Sequence, residues 1–335
     1  MKTQENYKAW EPGRKKGTIE DIVAYGLLAP SSHNTQPWKF VVEKNVIKIL
    51  PDYGRSLPYS DRFNRELFIS IGCAWANCEV AAEHFGYAIK SEVLPEDEIE
   101  DVAVKITCTK TKTAKKNDLF AAITERKTNR FPHTSEELSQ QIITLCTAQM
   151  FDKNMSVHII NDAVRKKAAA DIAAEVAEFV YADPVFKKEL QEWLRPVSTK
   201  EKDGIALFDA GVPAKITEMI VKNITEARPK EEAERDWHTV NSSTGLFVLT
   251  GHDDSKESWL FAGRATEYCW LNLTNFGVSL APMGGFVEHP VANQKLMKLL
   301  KTKKHPLFFA RIGFPKKPTH VSPRRPLEDV LKRSL

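Results

Sequence analysis

Two stretches 191 residues apart carry the same pattern, and a chain built from two copies of one unit has few ways to fold. With Gly72 set against Gly263, five of the fifteen positions from 72 to 86 are identical: Gly72, Ala74, Cys78, Phe85 and Gly86 fall on Gly263, Ala265, Cys269, Phe276 and Gly277. Each stretch reads as a long helix closed by Phe-Gly, and the small residues at 72, 74 and 76 allow another helix to approach closely. Each leads toward a later strand, "VAVKITC" after the first and "PLFFARIGF" after the second. A duplicated unit is therefore expected.

Around the first long helix the local signals are those of an α+β unit. Residues 19–28 predict a helix that Pro30 ends, "KFVVEKNVIKIL" (39–50) predicts a strand pair, and residues 65–87 hold the long helix. In "EDVAVKITCT" (100–109), Val102, Val104, Ile106 and Cys108 alternate as in a half-buried strand. "KTKTAKK" (110–116) reads as a solvated connector. A second offset, 118 residues, puts Val41 and Val42 on Ile159 and Ile160 and keeps the apolar frame. The polar turn is lost there: Ser31 faces Gln149, Ser32 faces Met150 and Trp38 faces Ser156, while in the other direction Arg126 and Arg130 face Lys8 and Pro12. The halves divide as 1–116 and 117–335, the second with helical material inserted at about 161–240. In that insertion "VFKKELQEWL" and "AKITEMIVKNITEA" are amphipathic, suited to core or subunit packing or to a lid over a site.

Composition removes several classes of function. A chain of 335 residues, 42% hydrophobic and 27% charged, can bury a large core, and no apolar run approaches the ~20 residues of a membrane span. The first residues lack a continuous apolar stretch, so no secretory signal is expected and the cytoplasm is the default. Five cysteines without a CxxC pair argue for reduced, buried thiols rather than a disulfide framework or a structural zinc site. A net charge of +4, with lysines not interleaved with aromatics, does not suggest nucleic acid.

Four segments carry more polar and cationic chemistry than turns require. "APSSHNTQPW" places Ser31, Ser32, Asn34 and Gln36 behind Pro30; the amides both donate and accept, matching a heteroaromatic ring edge, though a capped loop would use the same residues. His33 has no orienting carboxylate at fixed spacing and reads as structural. "RKTNRFP" sets Arg126, Lys127, Thr128 and Arg130 directly after a helix, a cluster that would grip a phosphate or decorate a solvated face. "APMGGFVEHP" offers Gly284 and Gly285 after Met283, a pair that permits backbone to approach a flat ligand or simply to turn tightly. "SPRRPLEDVL" holds Arg324 and Arg325 between prolines that keep them extended. Arg126 and Arg324 are expected to face solvent.

No GxGxxG after a strand, GxxxxGK[ST], HExxH or GxSxG is present, and no nucleophile or acid–base dyad is evident. Cations, amides and a glycine pair suit a protein whose bound cofactor carries the chemistry while the chain supplies grip and electrostatics.

Taken in order, "APSSHNTQPW", "ERKTNRFP", "APMGGF" and "SPRRPLEDVL" resemble the motifs of the nitroreductase-like FMN-binding family, and the order in which they occur resembles its tandem, Acg-like subgroup. The resemblance implies an α+β fold of two tandem halves forming an intrachain pseudo-dimer, each a mixed or antiparallel sheet flanked by helices. It implies FMN as cofactor, held at phosphate and ribityl by Arg126, Thr128, Arg130 and Arg324 with Lys127 and Arg325 beside them. Pro30, Ser31, Ser32, Asn34 and Gln36 would close the site from the first half, and Met283, Gly284 and Gly285 would lie beside the ring. No residue is assigned a catalytic role, since the flavin carries the chemistry. The implied activity is an oxidoreductase passing hydride from NAD(P)H through flavin to a nitroaromatic, quinone or similar flat acceptor; the alternative is a flavin-binding or storage protein whose lid prevents turnover. One fused chain would hold one complete site, with further oligomerisation left open. Lys127 and Thr128 stand where the family commonly has arginine and serine, and the insertion at 161–240 lies where it could cover the flavin.

Overall fold

The structure is a computed structural model that describes residues 5–11, 16–96, 98–111, 117–148 and 154–333. Residues 112–116 of the lysine-rich connector lie outside them. Helix α1 (Ile19–Gly26) starts at a capping box in which Thr18 and Asp21 satisfy each other's backbone N–H groups. Strands β1 (Trp38–Glu43) and β2 (Val46–Pro51) follow as a hairpin, then α2 (Arg65–His84), β3 (Tyr87–Val93) and β4 (Val104–Lys110). Helix α2 ends at Phe85 and Gly86, where a φ of 76° requires glycine's freedom. Strand β3 has no counterpart in the sequence reading, which sees only the half-buried alternation of β4; β3 is an edge strand with no fully buried residue.

Helices α3 (Phe120–Glu125) and α4 (Gln140–Ala148) lead to β5 (Ser156–Ile160), α5 (Ala163–Ala182), α6 (Pro184–Trp193), the short strands β6 (Leu194–Arg195) and β7 (Ile205–Ala206), α7 (Thr217–Asn223) and α8 (Pro229–Asn241). The chain closes with β8 (Gly245–Gly251), α9 (Lys256–Asn275), β9 (Ser279–Pro282), α10 (Gly285–Glu288), α11 (Pro290–Leu300), β10 (His305–Gly313), α12 (Leu327–Val330) and β11 (Leu331–Arg333). "AKITEMIVKNITEA" does not form one amphipathic helix: α7 is short and has a 3-10 turn on either side.

Two sheets result. One runs β11-β1-β2-β4-β3, antiparallel except that β11 pairs parallel with β1, so the far end of the chain completes the sheet begun near residue 38. The other runs β5-β8-β10-β9 and is antiparallel throughout. Between them the two long helices, α2 and α9, pack together at Gly72 and Gly263. One continuous core joins Phe40 and Ile49 of the first sheet, Phe68 and Trp270 of the helices, and Phe247, Leu280 and Ile312 of the second sheet.

Residues 161–240 contribute to this framework. Helix α5 lays Ala169, Ala173 and Val176 on Ile160, Leu246, Val248 and Phe309, covering the other face of the second sheet. Its alanines keep that contact close. From the end of α6 a strap of residues 194–213 then crosses to Tyr7, Asn34 and Arg55. All five cysteines are buried and unpaired.

Candidate functional site

Three of the four polar segments meet around one small cavity of about 50 Å³. Pro30, Ser31 and Asn34 enter it from the turn, Thr128 and Arg130 from the segment after α3, and Ser322 and Arg324 from the C-terminal segment. Ile205, Ala206, Asp209 and Ala210 of the strap form its remaining side.

The turn is strained and tied down. His33, Asn34 and Gln36 all have positive φ (47°, 55° and 52°), a conformation that costs a non-glycine residue roughly 1 to 3 kcal/mol. Side chains hold it: Ser31 Oγ accepts the Gln36 N–H at 2.9 Å, and the Ser32 N–H reaches Ser70 Oγ at 3.4 Å. Ser32 itself does not line the cavity. The amides expected to meet a ring edge are committed to backbone. Asn34 Nδ2 donates to the carbonyls of Gly204 and Pro323, both at 3.0 Å, and Gln36 Nε2 donates to that of Lys202 at 2.8 Å. Burial pushes the His33 imidazole down to about 4, so it is neutral near pH 7; it too lines the cavity, and its Nδ1 is buried with no hydrogen-bond partner among the described residues.

Arg126 and Arg324 correct the expectation of solvent-facing cations: their exposures are 2% and 4%. Arg126 lies 4.7 Å over the Trp270 ring, pairs with the wholly buried Glu267 at 3.1 Å, and donates to the Leu28 carbonyl at 2.8 Å. Arg324 donates to the same carbonyl at 3.1 Å, to that of Ala29 at 3.0 Å and to Asn34 Oδ1 at 2.8 Å, with Trp10 5.0 Å beneath it. Its Nε is buried without a hydrogen-bond partner among the described residues. Burial raises the Glu267 carboxyl to about 7, although Arg126 and Arg324 pull the other way. Both guanidiniums thus anchor the end of α1 and the turn. Arg325 joins them, accepted through its N–H by Gln36 Oε1 at 2.8 Å and donating from Nη1 to the Gln36 carbonyl at 3.2 Å.

Arg130 differs. Its side chain is exposed where it opens into the cavity and makes no hydrogen bond or ion pair among the described residues. Thr128, bridged through its backbone to Leu280, sets a hydroxyl beside it. Lys127 is half-buried and does not line the cavity. A cation the sequence reading missed stands behind this group: Arg311 on β10 is buried, donates to the Arg130 carbonyl at 3.3 Å, and is pushed down to about 10 by burial and then by Arg130. A lone arginine inside "PLFFARIGF" was its signal.

The glycine pair lies apart from the cavity lining. A Cβ on Gly285 would stand 2.7 Å from Val176 of α5, and one on Gly284 would stand 3.3 Å from Glu66 Oε1. Met283 packs with the α5 cluster and donates its N–H to the Phe309 carbonyl. The close approach that glycine permits is thus used by protein here.

The strap is fastened by charge. Asp203 pairs with Arg55 and with Arg195, the latter at 2.8 Å, and Tyr7 donates to Asp209 at 2.6 Å. The Gly204 N–H returns a bond to the Asn34 carbonyl.

No protein-family model matches the chain. It is 24% identical over 328 residues to a Mycobacterium tuberculosis protein, acg, whose name assigns it as an NAD(P)H nitroreductase; 93% of this chain and 94% of that one are covered. PigM of a Serratia species, named in the same way, is 22% identical over 334 residues, covering 93% and 92%. Among solved structures, the FMN- and NADPH-dependent nitroreductase NfnB of a Sphingopyxis species overlaps 64% of this chain and 98% of its own, with a TM-score of 0.42 and 13% identity. Oxidized iodotyrosine deiodinase bound to FMN and 3-iodo-L-tyrosine overlaps 62% and 95%, with a TM-score of 0.37 and 14% identity. The resemblance carried by four short segments therefore extends to named relatives across nearly the whole chain.

Proposed function

From this kinship with the Acg-type NAD(P)H nitroreductases, and from the cavity, we propose that the protein is an FMN-dependent oxidoreductase taking hydride from NAD(P)H and passing electrons to a small, flat acceptor such as a nitroaromatic or a quinone. The observation that carries this is the convergence of turn, cationic segment and C-terminal segment on one cavity that Arg130 enters with no partner among the described residues. An uncommitted guanidinium, the Thr128, Ser31 and Ser322 hydroxyls and the orphaned Arg324 Nε make a donor set for a phosphate. The residues fit the anionic end of the cofactor. When bound, the flavin supplies the two-electron chemistry. The chain's own part is to grip the phosphate, to brace the turn through Arg126, Arg324 and Arg325, and to keep water from the ring.

The fit at the ring is tighter. The Gly204 and Lys202 carbonyls hold the Asn34 and Gln36 amides, and Val176 of α5 faces Gly285, so a flavin ring between turn and glycine pair requires both the strap and α5 to give way. In this reading the halves 1–116 and 117–335 form an intrachain pseudo-dimer that exchanges β11, and one site is built from both.

Purified protein should be yellow, and anaerobic NADH or NADPH should bleach it. Colour that persists with both donors would reject turnover. Colourless protein that gains no thermal stability from excess FMN would reject the cofactor.

A further inference from the structure

His33 lines the same cavity as Arg130, and its ring is uncommitted: it makes no hydrogen bond or ion pair among the described residues, and its Nδ1 is buried. The backbone that carries it is fixed. With a φ of 47° His33 sits in the left-handed region between Ser31, whose Oγ accepts the Gln36 N–H, and Asn34, whose amide donates to the Gly204 and Pro323 carbonyls. Histidine is one of the residue types enriched in that region, which accounts for the backbone there. It does not account for a titratable ring left without a partner at a cavity that a guanidinium enters.

Two charges act on this ring from other elements. Arg130, on the segment after α3, opposes a proton there; Glu189, on α6 and 7% exposed, favours one. The carboxylate that sequence spacing does not supply is thus 156 positions away (189 − 33). It is fixed by the Tyr59 and Ser60 N–H groups, which donate to it at 2.7 and 3.0 Å. The other charged groups on the cavity are Arg324, which donates to the Leu28 and Ala29 carbonyls, and Asp209 of the strap, whose Oδ2 accepts the Tyr7 hydroxyl. With Arg130 uncompensated, burial prevails and the ring is neutral at pH 7. An anion beside Arg130 cancels that opposition and adds its own attraction to that of Glu189. An opposite charge in contact moves such a group by about 1 to 3 pH units, and a phosphate monoester carries up to two charges. That suffices to bring the ring from about 4 to near neutral pH.

We propose that His33 is a binding residue for the anionic end of the cofactor, donating to the phosphate as an imidazolium, so that each phosphate monoester entering beside Arg130 brings a proton into the cavity. This rests on the flavin reading above. The cavity has the matching size: about 50 Å³ holds a group of a few heavy atoms, a phosphate rather than a ring. The proton comes from solvent and forms an N–H bond on the imidazole; no bond of the phosphate breaks. The contribution of His33 to affinity is full below the unliganded value of about 4 and gone above the value the ring has in the complex. Between the two, binding takes up a proton, and affinity falls as pH rises.

The test titrates FMN into the flavin-free full chain by calorimetry at about pH 6, in buffers of different ionisation enthalpy, which counts the protons taken up. His33→Asn is the comparison, because asparagine tolerates the left-handed backbone and does not titrate. Wild type should take up about one proton more per FMN than the variant. Relative to His33→Asn, its FMN dissociation constant should rise by about tenfold per pH unit from about pH 5 to about pH 7 and level off above. Riboflavin, which has the ring without the phosphate, should show no such difference. A second readout needs no variant: nitrogen NMR of wild type should show a histidine ring that is neutral at about pH 6 and becomes imidazolium when FMN, but not riboflavin, is added. Equal proton uptake in wild type and His33→Asn, or no histidine that charges with FMN, overturns the proposal and leaves the flavin reading intact. Wild-type protein that binds no FMN overturns both.

Discussion

Arg126 and Arg324, 198 positions apart in the chain (324 − 126), donate to one and the same acceptor, the carbonyl of Leu28. Like charges that close are tolerated because Glu267 lies with them, paired to Arg126 at 3.1 Å. The arrangement ties the end of α1, the segment after α3 and the C-terminal segment to one point. Arg126→Ala leaves Glu267 buried without its partner, and the loss should be about 3 to 5 kcal/mol of unfolding free energy. Urea unfolding of the variant checks it. A midpoint unchanged from wild type would mean that Arg126 is not an anchor.

The same cluster predicts a pH signature. The Glu267 carboxyl is raised to about 7 in the fold, against about 4.3 when unfolded, so between those values the folded state binds the extra proton. Its contribution is fully present at low pH and is lost as pH rises through about 7. Relative to Glu267→Gln, wild-type stability should therefore decline from about pH 4.5 to about pH 7. Parallel curves for the two proteins would contradict the raised value.

Gly72 and Gly263 predict a reversed helix propensity. A Cβ on Gly72 would overlap the Leu260 carbonyl oxygen, and one on Gly263 would overlap that of Ile69. Both are backbone atoms, so the helices would have to part. Alanine normally favours a helix over glycine by about 1 kcal/mol, yet either substitution here should destabilise by about 1 to 3 kcal/mol. Gly277→Ala is the control: nothing lies within 4 Å of its Cβ, and only its φ of 71° opposes the change.

These glycines also show what was legible. The match of Gly72 with Gly263 was visible in sequence, and in the fold these two glycines are where α2 and α9 touch, with Phe-Gly ending both helices at a positive φ. The polar segments stood out because their composition exceeds what turns need. Burial of Arg126 and Arg324 was not legible, because it depends on Glu267 and on carbonyls far away in sequence. Nor was the strap: the carbonyls it offers to Asn34 and Gln36 are backbone, which every residue has. The parallel pairing of β11 with β1 is likewise a matter of long-range topology that three residues cannot announce.

The strap should be loosened by Asp203→Ala, which removes the partner of both Arg55 and Arg195. Trypsin should then cut after Lys200 and Lys202 several-fold faster, since cleavage follows the population of the open form when opening is rapid. Added FMN should bind faster to the variant if the strap must move for the ring to enter. Equal cleavage rates would show that the strap's hydrogen bonds, and not the Asp203 ion pairs, hold it closed.

Arg130 separates grip from architecture. It is the guanidinium of the cationic segment that opens into the cavity with no partner among the described residues, whereas Arg126 braces the fold. Arg130→Ala should leave urea unfolding nearly unchanged and weaken FMN binding by roughly 10- to 100-fold, the size of a lost charge-assisted hydrogen bond of about 1.5 to 3 kcal/mol. Riboflavin has the same ring without the phosphate. Its affinity should be the same in both proteins if Arg130 meets the phosphate, and should fall with that of FMN if Arg130 meets the ring. Fluorescence titration of the two flavins against wild type and variant therefore locates the anionic end of the ligand. Equal FMN affinity in the two proteins would place that end away from this cavity.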